Sequence, residues 1–387
     1  MVKAIKVMLI PNNVQKTKLF QYAGASRFAY NWALAREIEN YEKGGKFISD
    51  AELRKEFTKL RHSDEYTWLL NISNNVTKQA IKDACTAYKN FFRGLQKFPR
   101  FKSKKRSMPK FYQDNVKIRF SNTHVKFEGF SSSRKANKQK MNWVRLAEHG
   151  RIPTDVKYMN PRISFDGLNW WISVCVEFPD CRETLNDDGV GIDLGIKDLA
   201  VCSDGTKYKN INKSQKVKKS EKQKRRLQRS ISRSYEKNKK GESYCKTNNV
   251  IKKEKLLLKR NHRLTNIRKN YLNQTISEII NRKPRFICIE DLNVSGMMKN
   301  RHLSKAVQEQ GFFWFRKQLE YKCSDKGIQL IVADRFYPSS KLCSCCGNIK
   351  KDLKLSDRVY RCECGNMIDR DFQASINLKT YGEQFAS

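Results

Sequence analysis

The segment Gly189–Gly205, GVGIDLGIKDLAVCSDG, reads as a strand, a tight glycine turn and a second strand. Val190 and Ile192 alternate with small residues until Asp193 interrupts the apolar run; Leu194, Leu199, Ala200 and Val201 then carry it on. Aspartate is disfavoured inside strands, and burying its charge without a partner is costly. A carboxylate there calls for a cation, and a metal ion is the usual answer among apolar neighbours. The plainer alternative is a turn-forming Asp beside Gly195.

Two further segments supply carboxylates. RFICIED, Arg285–Asp291, is an apolar strand ending in Glu290, and DRDFQASINL, Asp369–Leu378, places Asp369 and Asp371 at the start of an amphipathic helix. An acid in a first helical turn is often only a cap or a dipole partner. A strand-borne Asp, a strand-end Glu and a helix-start Asp, in that order, is nevertheless the layout of an RNase H-like fold. In that fold three carboxylates converge to hold two Mg²⁺ ions roughly 4 Å apart for in-line phosphodiester hydrolysis.

The 387 residues suffice for two or three domains. The 79 Lys and Arg against 39 Asp and Glu leave a formal net charge of +40, far beyond what solubility requires. A long polyanion is the natural partner, bound largely through phosphate contacts and counterion release. An anionic membrane would be the competing polyanion, but no apolar run approaches transmembrane length and no signal peptide opens the chain. Of the twelve cysteines five crowd into Cys343–Cys364 and the rest are scattered, which fits a reducing compartment with one metal site.

From the N-terminus, Val2–Ile10 reads as a strand closed by Pro11. Helices are predicted over Lys16–Tyr41, over Ser49–Leu60 with Ser49 or Asp50 as cap, and over Ser73–Phe92. Asn75 and Gln79 lie four apart on the third helix, and such amides can read adenine edges in a major groove. Exposed polar positions of an ordinary helix are the alternative. FPRFKSKKRSMPK, Phe98–Lys110, is a basic linker with interleaved aromatics, whose Lys102, Lys104 and Lys105 are candidates for nucleic-acid contact. From Asp114 to Phe178 the apolar period becomes two, with Asp166-Gly167 as a hairpin turn, so a small β-barrel or sheet completed by the N-terminal strand is expected.

Lys213–Lys240 carries 13 Lys and Arg with two acids and little apolar surface. It reads as a mobile basic helix that orders over nucleic acid, with Lys224, Arg225, Arg226 and Arg229 as contacts, or else as a disordered basic arm. Ile251–Ile280 and Phe312–Lys326 read as helices and Gly327–Ala333 as a strand. Cys343-x-x-Cys346-Gly and Cys362-x-Cys364-Gly form two short knuckles, and four thiolates suit one tetrahedral structural Zn²⁺ with no open position. Cys345 is an extra thiol able to replace a ligand. The knuckles lie just before Asp371, so this centre is placed to orient the last helix.

The ordered motifs GIDLGIKDLAVCSDG, ICIEDL, RFYPSSKLCSCCG and YRCECGNMIDRDFQASINL resemble those of TnpB, the transposon-encoded RuvC-like nuclease family related to type V CRISPR effectors. The likeness extends over nearly the whole chain and includes the PRFKSKK linker. It implies an α+β multidomain protein: an RNase H-like (RuvC) α/β core, a helical recognition domain, a small β-barrel (wedge) domain and an inserted zinc knuckle. The implied boundaries are 1–12 for the first wedge strand, 13–97 for the recognition helices and 98–186 for the wedge. The core, with the basic lid helix 213–240, would span 187–340, the zinc-bearing insert 341–367 and the last core segment 368–387.

The resemblance implies an RNA-guided DNA endonuclease that binds a guide (omega) RNA and cuts target double-stranded DNA beside a short motif. Its product would carry a 5′ phosphate. Catalytic acids and Mg²⁺ ligands carry over to Asp193, Glu290 and Asp371, with Asp369 as the alternative third ligand, and zinc ligands to Cys343, Cys346, Cys362 and Cys364. Asn75 and Gln79 fall in the family's motif-reading helix. Gln373 stands where the family usually has Asn. A prokaryotic cytoplasmic, nucleoid-associated location follows, with no membrane partner and no small-molecule substrate. Competing readings are a nuclease-inactive RNA-guided repressor, a DNA transposase sharing the RNase H-like core, and a guide-free nucleic-acid binder.

Overall fold

The computed structural model describes residues 1–130, 141–179, 182–354 and 357–386. Positions 131–140 and 180–181 of the expected β-rich region, 355–356 of the cysteine insert and 387 therefore lie outside the described residues. The chain divides into two compact units, Met1–Pro179 and Asp180–Ser387.

The first unit runs β1 (Val2–Ile10), α1 (Asn13–Glu42), α2 (Asp50–Arg61), a 3₁₀ helix (Asp64–Asn71) and α3 (Asn74–Phe92). Six strands follow: β2 (Lys110–Tyr112), β3 (Arg119–Phe120), β4 (His124–Lys126), β5 (Trp143–Leu146), β6 (Tyr158–Phe165) and β7 (Trp170–Glu177). α1 starts on a capping box, in which Asn12 Oδ1 accepts from the Gln15 amide at 2.8 Å while Gln15 Oε1 accepts from the Asn12 amide at 3.0 Å. Ser49 caps α2 in the same way through Glu52. The sheet order is β2-β6-β7-β1-β5-β4-β3, so the N-terminal strand lies inside the sheet, antiparallel to β7 and β5. The expected turn joins β6 to β7: Gly167 adopts φ +96° and Asp166 Oδ1 accepts the amides of Leu168 and Asn169. Tyr22, Leu34, Phe57 and Ile81 of the helices and Val7, Ile172 and Val174 of the sheet are buried in one core.

The second unit opens with β8 (Val190–Leu194), β9 (Asp198–Cys202) and β10 (Lys207–Lys209). Next come α4 (Gln215–Lys237), the short pair β11 (Lys239–Lys240) and β12 (Ser243–Tyr244), and α5 (Asn248–Asn281). β13 (Phe286–Glu290), α6 (Val294–Met297), α7 (Ser304–Gln310), α8 (Phe312–Lys326) and β14 (Gln329–Ala333) follow, then β15 (Val359–Arg361), β16 (Met367–Asp369) and α9 (Arg370–Phe385). The five-stranded sheet has the order β10-β9-β8-β13-β14; its first three strands are antiparallel, and β13 runs parallel to both β8 and β14.

Strand periodicity sorts this sheet into two faces. Val190, Ile192, Ile287 and Ile289 pack with Ile276, Ile279, Phe315 and Leu319 of α5 and α8. Phe286, Cys288 and Ile331 pack with Leu378 of α9 on the other face. α9 approaches that face so closely that a Cβ at Gly191 would overlap the backbone of Ser375 and Lys379, and one at Gly382 would overlap the Phe286 ring. Glycine at 191 is thus the condition for seating the last helix over β8.

Candidate functional site

Asp193 and Glu290 stand at the C-terminal ends of neighbouring parallel strands. Ile287, Cys288 and Ile289 are paired with Val190, Gly191 and Ile192, so the register brings the two acids side by side. Asp193 shares the parity of Gly191, and Glu290 that of Cys288 and Phe286, so both belong to the face that α9 covers. Burial pushes the Asp193 carboxyl up to about 8, and the charges of Asp371, Glu290 and Asp369 add to that rise while Arg370 opposes it. Burial also raises Glu290, with Asp291 contributing. Among the described residues neither Asp193 nor Glu290 has a hydrogen-bonded or ion-paired partner. Asp291, by contrast, is held by Arg316 at 2.7 Å and by Arg335. A cleft of about 250 Å³ opens beside Glu290, lined by Leu194, Asn293, Phe312 and the two arginines.

The two acids at the start of α9 have different occupations. Asp369 is the N-cap: its Oδ1 accepts the Phe372 amide at 3.1 Å, and its other oxygen meets Lys207 Nζ at 3.4 Å. Burial works upward on Asp369, but the Phe372 amide and Lys207 outweigh it and hold the carboxyl low. Asp371 lies in the first turn, paired with Arg370 at 3.3 Å, and is the charge that acts most strongly on Asp193. The ligand oxygens of these acids do not form a cluster as tight as the cysteines; among the described residues the group with all ligand atoms within 4.8 Å is Cys343, Cys346, Cys362 and Cys364.

That cysteine group has the dimensions of a tetrahedral metal centre. Sγ of Cys343 lies 3.7 Å from that of Cys364, and Sγ of Cys346 lies 3.6 Å from that of Cys362. Zinc–sulfur bonds of about 2.3 Å in a tetrahedron require sulfurs about 3.8 Å apart, whereas a disulfide would bring them to about 2.0 Å. Gly347 and Gly365 adopt φ +71° and +87° just after the knuckles, donating back to the carbonyls of Cys343 and Cys362. Burial acts to raise the Cys343 thiol, but the Cys346 amide and the Asn366 side chain outweigh it, bringing the group down to about 6. Cys345 is exposed and outside the four.

Sequence reasoning passed over the part played by Gln373. Its side chain is fully buried; Nε2 donates to the Leu342 carbonyl at 2.8 Å, and Oε1 accepts from Ser344 Oγ at 3.1 Å and Asn366 Nδ2 at 3.0 Å. Asn366 also donates to Cys343 Sγ at 3.4 Å. One buried amide therefore ties the helix carrying Asp371 to the cysteine centre. Its signal in the sequence was a polar residue on the inward face of an amphipathic helix.

The basic segment differs from its expectation. The helix spans Gln215–Lys237, not 213–240, and it is anchored to α5. Val217, Glu221 and Ile231 are buried, Lys253 donates to Ser230 and Ser234, and Arg268 pairs with Glu221 at 3.1 Å. Counting apolar residues missed these polar anchors because the partner helix supplies half of each. Lys224 is occupied by Glu221 at 3.0 Å, while Arg225, Arg226 and Arg229 are exposed. The three arginines border a cavity of about 670 Å³ with Lys218, Lys222 and Lys305.

In the first unit Lys104 and Lys105 are exposed in a turn, and Lys102 is half-buried with its ammonium 3.0 Å from the Tyr30 ring centre. Asn75 and Gln79 both lie on α3, bonded to carboxylates: Asn75 to Glu128 at 3.4 Å and Gln79 to Asp83 at 2.9 Å. Among the described residues no helix is long and apolar enough to cross a membrane.

Comparison with known proteins places these features in a family. A family model described as "Cas12f1-like, TNB domain" matches residues 312–378, which include the cysteine centre and the start of α9. Models described as "Probable transposase" and "Helix-turn-helix domain" match residues 173–301 and 1–46. The Escherichia coli K12 protein named "Putative RNA-guided DNA endonuclease InsQ" is 30% identical over 379 residues, covering 93% of this chain and 87% of the relative. A Streptomyces pristinaespiralis protein named "Putative RNA-guided DNA endonuclease" is 28% identical over 381 residues, covering 98% of this chain and 89% of the relative. The fold is similar to that of a chain in the solved Cas12f1–sgRNA–target DNA complex, with a TM-score of 0.61, 13% identity and 98% of each chain covered. By the likeness spanning nearly its whole length, the chain belongs to the TnpB family, the transposon-associated IS605 OrfB proteins related to Cas12f.

Proposed function

We propose that this chain is an RNA-guided DNA endonuclease, which binds a guide RNA and cleaves target DNA beside a short motif. Asp193, Glu290 and Asp371 would act as ligands of two Mg²⁺ ions in an RNase H-like core. The observation that carries the reading is the pairing of β8 with β13, which sets Asp193 beside Glu290 on the face covered by the Asp371 helix. Three antiparallel strands followed by two parallel ones, with a helix closing over the acids, is the arrangement such a core requires. The relatives' names and the likeness to Cas12f1 support the guide RNA and the DNA target.

The donor set fits the cation. Asp193 and Glu290 would be hard oxygen ligands. Burial raises both, with Asp371 and Glu290 adding to the rise of Asp193 and Asp291 to that of Glu290, and a divalent ion would favour the charged form of each. Bound Mg²⁺ would supply an activated water and stabilise the departing 3′ oxygen. Asp369 fixes the start of α9 as its cap and thereby sets where Asp371 stands. The four cysteines would hold one structural Zn²⁺ that orders the segment before α9. Asn75 and Gln79 would read the motif from α3. Lys102, Lys104, Lys105 and the arginines of α4 would contact phosphates, with the guide–target heteroduplex held by shape.

The test is cleavage of a plasmid target by the protein carrying its copurified RNA. Asp193→Asn, Glu290→Gln and Asp371→Asn should each abolish cutting while RNA binding persists, and Asp369→Asn should retain activity. Cutting by Asp371→Asn, or strand-transfer products in place of hydrolysis, would overturn the assignment.

A further inference from the structure

We propose that Arg27, Lys102, Lys110 and Arg162 form a pocket that grips one backbone phosphate of the DNA duplex lying along α3, beside Gln79. The proposal rests on the motif-reading role assigned to that helix and adds to it a contact blind to sequence.

A cleft of about 20 Å³ is lined by these four cations and by one acid, Asp83. It is drawn together from α1, α3, the basic linker, β2 and β6. A volume of ~20 Å³ admits an oxygen-sized group and excludes a base or a sugar. The tip of a phosphate is the anionic group of nucleic acid that meets this limit.

The cations are held in place before any ligand arrives. Asn31 clamps the Lys102 backbone in both directions, accepting its amide and donating to its carbonyl at 2.8 Å each. The Lys102 ammonium then rests over Tyr30. Arg162 is fixed by two bonds to Asp83 at 2.6 and 3.1 Å and by a third to Asn160 Oδ1 at 3.0 Å. Asp83 also accepts from Gln79 Nε2 at 2.9 Å, so its two oxygens are already engaged. Arg27, Lys102 and Lys110 are left with no paired carboxylate among the described residues.

Burial and the neighbouring cations both act against the Lys102 ammonium. Burial, then Lys110, draws the Lys102 ammonium down to about 7; Asp83 pulls the other way and Arg162 adds to the fall. An anion seated among the four would offset the repulsion from Lys110 and Arg162. The bond from Asp83 to Gln79 sets the pocket within one helical turn of the reading amide, which favours the DNA duplex over the guide RNA as the source of the phosphate.

The experiment titrates full-length protein, purified with the RNA it carries, against a labelled random-sequence DNA duplex of about 25 base pairs across a KCl series. Lys102→Met keeps an unbranched side chain that can pack on Tyr30 in place of the ammonium, and keeps the backbone clamp, so it should melt close to the wild type. It should bind the duplex several-fold more weakly for every flanking sequence, and the log–log salt slope should drop by about 0.9, the value for one phosphate. Arg162→Ala should give the same drop and the double variant no more, because they share one phosphate. An unchanged slope in a normally melting Lys102→Met protein overturns the proposal. A drop seen with the copurified RNA and not with duplex DNA also overturns it, by assigning the phosphate to RNA. Gln79→Ala should change motif preference without changing the slope. If preference stays while Lys102→Met still lowers the slope, the motif-reading role fails and the phosphate pocket stands.

Discussion

Gln373 Nε2 donates to the Leu342 carbonyl at 2.8 Å, so a fully buried amide of the last helix bonds to the residue preceding the first of the four clustered cysteines. The same side chain accepts from Ser344 and Asn366. Gln373→Ala would leave those three groups without this partner, at roughly 1–3 kcal/mol for a buried unsatisfied group. The variant should lose zinc faster to a chelator and cleave more slowly, while the preference for sequence beside the target is unaltered. Gln373→Asn, one methylene shorter, should recover part of the zinc retention. Chelator competition followed optically and a motif-depletion assay check the two halves.

Zinc content provides a second prediction. Sulfur separations of 3.6 and 3.7 Å match a tetrahedral site, so the protein should carry about one zinc per chain. Cys343→Ser and Cys364→Ser should lose the metal and lower the melting temperature, because binding of structural zinc is coupled to folding. Cys345→Ser should do neither, as Cys345 stands outside the four. Elemental analysis of chelator-free preparations decides it.

The acids predict a pH effect. Asp193 has its carboxyl raised from an ordinary 3.8 to about 8 in the metal-free fold. Between these values the folded chain holds a proton that the unfolded chain has released, so stability falls as pH rises. This contribution is fully present below about 3.8 and lost by about 8. Asp193→Asn should therefore flatten that dependence and melt above the wild type at pH 8 without metal. Added Mg²⁺ should raise the wild-type melting temperature and leave the variant unmoved. Calorimetry across the pH range, with and without Mg²⁺, measures both effects.

Much of this site was legible because its signals are local. Asp193 interrupts an apolar strand, Glu290 ends one, and the cysteines recur at ligand spacing before Asp371. α8 was readable to the residue, Phe312–Lys326, because Gly311 and Gly327, both at positive φ, punctuate it. What escaped was whatever depends on a distant partner. The anchoring of α4 needs Arg268 and Lys253 from another helix. The engagement of Asp369 as a helix cap and with Lys207 involves a residue far away in sequence. The Arg162–Asp83 pair joins a strand to a helix 79 residues apart, and no spacing rule links them.

The basic helix permits a prediction in which two kinds of arginine separate. Arg268 is mostly buried and bonds Asn212, Glu221 and Glu309 at 2.7, 3.1 and 3.2 Å, joining α5 to α4 and α7. Asn212 in turn donates to Gln310, whose own amide reaches the Gly195 carbonyl at 2.8 Å, two residues beyond Asp193. Arg268→Ala leaves two partly buried carboxylates without this cation and should cost about 1–3 kcal/mol, lowering the melting temperature and cleavage together. Arg225, Arg226 and Arg229 are exposed and border the cavity that Asn212, Glu221 and Glu309 also line. Replacing the three with Ala should shift stability by no more than about 0.5 kcal/mol, as surface changes do. It should nevertheless weaken cleavage, and the loss should shrink at low salt, where the remaining phosphate contacts are strongest. Melting curves and cleavage rates for both variants at two KCl concentrations separate the roles. A triple variant that cuts like the wild type at physiological salt would make these arginines a passive solvated face.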